Sequence, residues 1–91
     1  MSDLRRTVVT VSCSGLSDAE GRAAVADVAE EFASRPWQRD VRCEWVAGTL
    51  RLTATSDNDF NGEALLDEFW DAVIACVATE NSIRFKVDTV C

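Results

Sequence analysis

The chain has no histidine and no tyrosine, and only one proline and four glycines, in 91 residues. Without histidine, the side chain most often used as a general base near neutral pH is missing. Mixed Cys/His zinc sites are excluded for the same reason. The four cysteines, Cys13, Cys43, Cys76 and Cys91, stand 30, 33 and 15 positions apart, with no CxxC pair and no zinc-ligand spacing. They read as small apolar core residues, with Cys91 exposed at the end of the chain. Proline and glycine are too sparse to mark a linker, and no repeat or low-complexity segment divides the chain. One domain over residues 1–91 is the expectation.

Long hydrophobic runs are also missing, so no segment could span a bilayer as a helix. The stretch from Val8 to Val11 is interrupted by Thr10 and is too short and polar for a signal sequence. A cytoplasmic location is expected. Basic residues are scarce, nine against sixteen acids, for a net charge of −7. None lies between Leu52 and Ile83, a stretch that holds seven acids. This balance argues against nonspecific binding to nucleic acid or to an anionic membrane.

What remains is a well-patterned 47% hydrophobic chain. Thr7, Val9, Val11 and Cys13 alternate with Val8, Thr10, Ser12 and Ser14, which predicts a strand over residues 6–14. Gly15 ends it. Ser17 and Glu20 then have capping-box spacing, and a helix over 18–34 follows, with Val25, Val28, Ala29 and Phe32 as its buried stripe and Ala24 and Ala33 beside it. Pro36 stops it. The next two strands form a hairpin. Opposing Trp45 to Leu50 also opposes Cys43 to Leu52 and Val41 to Ala54 on the inner face, and Glu44 to Arg51 on the outer face. Ala47 is a poor first residue for a two-residue turn, so a four-residue loop, 46–49, is an equal alternative. A second helix is predicted over 62–79, with Leu66, Phe69, Trp70, Val73, Ile74 and Val77 buried. Ile83, Phe85 and Val87 mark the inner face of a last strand over 83–90.

The order β-α-β-β-α-β, with one apolar face per strand, predicts an α+β fold. It is a two-layer ferredoxin-like sandwich, a four-stranded antiparallel sheet with both helices on one face and strand order 4-1-3-2. The open face then carries Val8, Thr10, Ser12, Arg42, Glu44, Arg51, Thr53, Arg84, Lys86 and Asp88. It has no aromatic residue on which bases could stack, unlike an RNA-recognition motif. Cys13-Ser14-Gly15-Leu16 lacks the second thiolate of a heavy-metal carrier.

One segment has a specific pattern. Asp57-Asn58-Asp59-Phe60-Asn61-Gly62-Glu63, closed by Glu68, has the spacing D-x-D-x-N-G-x5-E and resembles the calcium loop of an EF-hand over these twelve residues. The resemblance implies Asp57, Asp59 and Asn61 as side-chain ligands, Glu63 through its carbonyl and Glu68 as the bidentate ligand of calcium. A strand stands where the EF-hand has its entering helix. A structural reading accounts for the same residues: Asn61 caps the second helix, Phe60 staples to Leu65, and Glu63 sits at the positive helix end. The structural reading is the expectation, with no cofactor, and calcium is the alternative.

The acids gather on the predicted helix layer. Asp27, Glu30 and Glu31 on the first helix and Glu63, Asp67, Glu68 and Asp71 on the second form a candidate partner-binding face. These features predict a non-enzymatic protein-interaction module of inhibitor, immunity or anti-defence type, acting on a protein partner or by self-association. A calcium-regulated domain and a small-ligand-sensing dimer are the alternatives.

Overall fold

A computed structural model describes residues 7–56, 61–77 and 82–91. Its elements are β1 (Thr7–Ser14), α1 (Asp18–Ala33), β2 (Arg39–Val46), β3 (Thr49–Ser56), α2 (Glu63–Cys76) and β4 (Arg84–Val90). The four strands form one antiparallel sheet in the order β2-β3-β1-β4. This is the ferredoxin-like arrangement the sequence predicts. Strand alternation aims Val9, Val11, Cys13, Leu50, Leu52 and Ala54 at the helices, and all are at most 1% exposed.

The helices bury narrower stripes than their composition suggests. On α1 the buried positions are Gly21, Ala24, Val28 and Phe32, while Ala29 and Ala33 are exposed and Val25 is half-buried. The capping box forms as predicted: the Glu20 amide donates to Ser17 Oγ at 3.1 Å, and the Ser17 amide donates to Glu20 Oε1 at 2.8 Å. Gly21 is required by packing. A Cβ there would lie 2.1 Å from ring atoms of Trp45, whose indole N–H donates to Asp18 at 2.7 Å.

On α2 the stripe is Leu65, Phe69, Ala72 and Val73. Trp70 and Ile74, expected inside, are 52% and 55% exposed. Trp70 lies flat on Phe85 of the edge strand β4, with ring centroids 5.3 Å apart. The helix starts at Glu63, with Gly62 as N-cap at φ 80°. Asn61 was expected in that role and stands one residue further out, where its Oδ1 accepts from the Glu63 amide at 3.1 Å. A Cβ on Gly62 would meet Val9 and Val87 at 2.9 and 2.8 Å, so this glycine serves both the turn and close packing onto the sheet. The helix ends at Cys76, three residues before the predicted end, and Val77 is already extended. Asp57, Asn58, Asp59 and Phe60 lie outside the described residues.

The β2–β3 register holds at Trp45↔Leu50, Cys43↔Leu52 and Glu44↔Arg51. The predicted Val41–Ala54 pair falls in a register shift between Arg39 and Arg42, where Asp40 has φ 53°. The hairpin turn is the two-residue form: Val46 pairs with Thr49, and Ala47 and Gly48 take φ 51° and 76°. Hairpin twist demands positive φ at both positions, so Ala47 accepts a conformation costing about 1–2 kcal/mol.

Candidate functional site

The helices cover one face of the sheet, and the chemistry collects on the other. There the strand registers align side chains into two cross-strand rows. One runs Glu44, Arg51, Ser12, Lys86 from β2 to β4. The next runs Arg42, Thr53, Thr10, Thr89. Between the rows, β4 carries an irregularity. Val11 pairs with Val87 but Thr10 pairs with Thr89, so Asp88 is an extra residue. A bulge re-aims side chains that strict alternation would send to opposite faces. Here it brings Asp88 and Thr89 together onto the open face, where both line a shallow trough of about 550 Å³. The other walls are Thr10, Ser12, Glu44, Thr49, Arg51, Thr53 and Lys86. All nine lining side chains are polar.

Asp88 is the centre of the trough. Ser12 Oγ donates to its Oδ1 at 3.0 Å, and Ser12 is only 3% exposed. Lys86 Nζ lies 3.6 Å from the same oxygen, and Arg51 Nε lies 4.0 Å from Oδ2. Those two contacts are loose, and surface pairs of this kind contribute little to stability. Beside them Thr10 and Thr53 share a hydroxyl–hydroxyl bond of 3.1 Å. Arg51 thus turns from its cross-strand neighbour Glu44 toward Asp88. Among the described residues, Glu44 is left with no hydrogen bond or ion pair to its carboxylate. Two cations, two carboxylates and four threonine hydroxyls therefore face solvent together above the buried Ser12, several with unused hydrogen-bonding capacity.

The predicted site residues lie elsewhere and do not converge. Asp27, Glu30, Glu63, Asp67 and Asp71 are exposed on the helix layer. Glu63 accepts from Asn61 Nδ2 at 2.9 Å, and Glu31 lies 3.8 Å from Arg35. Asp27, Glu30 and Glu31 come near Cys76, whose thiol pKa is raised first by burial and then by these three charges. Glu68 is not a free surface acid. It lies well inside α2, and its carboxylate is held by Arg35 Nε at 3.2 Å, Trp37 Nε1 at 2.9 Å and Gln38 Nε2 at 2.8 Å. The calcium alternative assigns this carboxylate as the bidentate ligand, and here these three donors hold it. Asp57 and Asp59 lie outside the described residues. Among the described residues no group of three or more Cys, Asp or Glu could hold a metal ion.

The thiols of Cys13 and Cys43 are poorly suited to nucleophilic work. Burial pushes Cys13 up to about 11, and burial together with Glu44 pushes Cys43 up to about 12. Cys13 therefore belongs to the core. The open face was legible in the strand alternation. Its convergence on Asp88 was not, because a one-residue bulge leaves no mark in the alternation of Lys86, Val87 and Asp88.

No helix among the described residues is long and apolar enough to cross a membrane. No family model and no curated protein matches the chain. In structure the chain is similar to a "putative Antibiotic biosynthesis monooxygenase" from Chloroflexus aurantiacus J-10-fl. The TM-score is 0.50 at 13% identity, over 91% of this chain and 93% of that one. At this identity the likeness establishes the ferredoxin-like fold. It also overturns two expectations, the protein-interaction module and the absence of enzymatic character, because the structural neighbour is named for catalysis. The acids of the helix layer are spread along two helices, whereas the open face gathers mixed charges and hydroxyls around one carboxylate.

Proposed function

We propose that this chain is a small-molecule-binding domain whose ligand lies on the open face of the sheet. The observation that carries the reading is the trough itself, in which a bulge places Asp88 among Ser12, Arg51 and Lys86. Fixed polar groups converging in a concavity are what orient a bound ligand. Chemistry on that ligand is the second reading, favoured by the likeness to the Chloroflexus protein. Residues 1–91 are read as one such domain in a cytoplasmic setting, where four free thiols stay reduced. Self-association belongs to the same proposal, since a second copy laid over the open face would enclose the trough.

The test is a thermal-shift screen of small polar and apolar compounds on the wild-type protein and on Asp88→Asn. The proposal expects polar compounds that raise the melting temperature of the wild type more than that of the variant. A screen whose stabilising compounds are all apolar, or act equally on both proteins, contradicts it. For the second reading, each stabilising compound is incubated with the protein in air and followed by mass spectrometry. An unchanged mass for all of them removes the catalytic reading and leaves binding.

A further inference from the structure

We propose that the ligand of the open face is a small polyhydroxylated monoanion, of the sugar-acid or hydroxycarboxylate class, with its carboxylate on Arg51. This rests on the open-face reading and narrows it. Ligand sites are usually walled mainly by apolar and aromatic side chains. This trough has none among its nine lining residues, so a flat aromatic or aliphatic ligand would lose water on one side and gain no apolar contact. A hydroxyl-rich ligand meets hydroxyl partners instead, in Thr10, Thr53 and Thr89 along one cross-strand row and in Thr49 beyond the other.

The charges set the rest. Arg51 is the cation best placed to hold an anion. Its side chain is 42% exposed, and among the described residues its one ion contact, with Asp88, is 4.0 Å long. A planar guanidinium with unused donors takes a carboxylate in a two-pronged contact. Lys86, 76% exposed, stands two strands away across Ser12, about 10 Å between backbones, and adds positive field without fixed geometry. Glu44 and Asp88 bracket Arg51 and accept hydrogen bonds only, so they suit ligand hydroxyls. A second ligand anion would meet one of these two carboxylates, which limits the ligand to a single negative charge. Glu44 and Asp88 also favour a ligand that offers several O–H donors around its carboxylate.

The experiment is an amide NMR titration of the intact protein with three probes: glucuronate, glucose and benzoate. They present hydroxyls with the charge, hydroxyls alone and the charge on an apolar ring. Glucuronate is expected to shift the amides of Ser12, Arg51, Thr53 and Thr89. Glucose is expected to bind at least about tenfold more weakly, and benzoate to leave those amides in place. Arg51→Ala should weaken glucuronate by about tenfold or more, as loss of a charge-assisted paired contact does. Arg51→Lys should fall between, and melting curves of both variants check that the fold is kept. If glucose binds as tightly as glucuronate, or Arg51→Ala leaves affinity unchanged, the carboxylate assignment is overturned while the open-face site stands. If benzoate alone moves the open-face amides, the hydroxylated class is overturned and the site again stands. If glucuronate moves only amides of the helix layer, both readings fall together.

Discussion

Replacing Gly21 with alanine tests the packing that seats α1 on the hairpin. In an ordinary helix interior the change stabilises by about 1 kcal/mol, because glycine is the poorer helix former. Here a Cβ would stand 2.1 Å from two carbons of the Trp45 ring and 2.5 Å from a third. The indole must therefore swing away. Doing so gives up its bond to Asp18 and much of its contact with α1. For roughly 100 Å² of ring surface returned to water, the loss is about 2.5 kcal/mol. Set against the helix-propensity gain, Gly21→Ala should destabilise by about 1–2 kcal/mol, a drop of very roughly 5–15 °C in melting temperature for a domain of this size. Urea denaturation followed by circular dichroism measures it. The double variant Gly21→Ala/Trp45→Leu provides the control, because a smaller side chain leaves room for the methyl group. The alanine should then cost nothing, giving a coupling energy of at least about 1 kcal/mol between the two positions. A Gly21→Ala protein more stable than the wild type would refute the packing of Trp45 over α1.

Three further outcomes follow from the structure. Ala47→Gly or Ala47→Asn should raise stability by about 1 kcal/mol in urea melts, because each tolerates the positive φ of a two-residue hairpin turn better than alanine does. Glu68→Ala should destabilise by roughly 1–3 kcal/mol by leaving the buried Gln38 amide without its acceptor and the half-buried Arg35 with Glu31 alone, and should shift Trp37 fluorescence. Titration of the folded protein with a thiol reagent at pH 8 should label Cys91 fast and Cys13 and Cys43 slowly. Their raised pKa values also make stability fall above pH 9. There the unfolded chain releases thiol protons that the folded chain holds until about 11 for Cys13 and about 12 for Cys43. Stability flat from pH 8 to 10.5 would contradict this.

The fold was readable because several local signals agree. Ser17 with Glu20 set the start of α1, and the pairing of Trp45 with Leu50 set the hairpin register. Helix faces were harder to read. Composition made Trp70 and Ile74 look buried, yet α2 sits near the β4 edge and turns Leu65 and Ala72 inward instead. The segment around Gly62 looked like a motif for chemistry. Its glycine is explained by a left-handed N-cap and close contact with Val9 and Val87, and Glu68 by its three donors from residues 35–38. Strand alternation already placed Ser12, Arg51 and Asp88 on the open face, but their convergence depends on register across all four strands and on one inserted residue. Ser12, Arg51 and Asp88 are far apart in sequence, and nothing in their spacing announces that they meet. Charge totals drew attention to the acidic helices, whereas hydrogen-bond accounting points to the open face.

The central claim is that this open face holds the ligand. A crystal structure of the protein with the compound that most raises its melting temperature tests that claim most directly. The account predicts density for the compound across Arg51, Ser12 and Asp88, with a ligand oxygen within hydrogen-bond distance of the Arg51 guanidinium. Density on the helix layer, or against the Trp70–Phe85 stack at the α2–β4 edge, would contradict it.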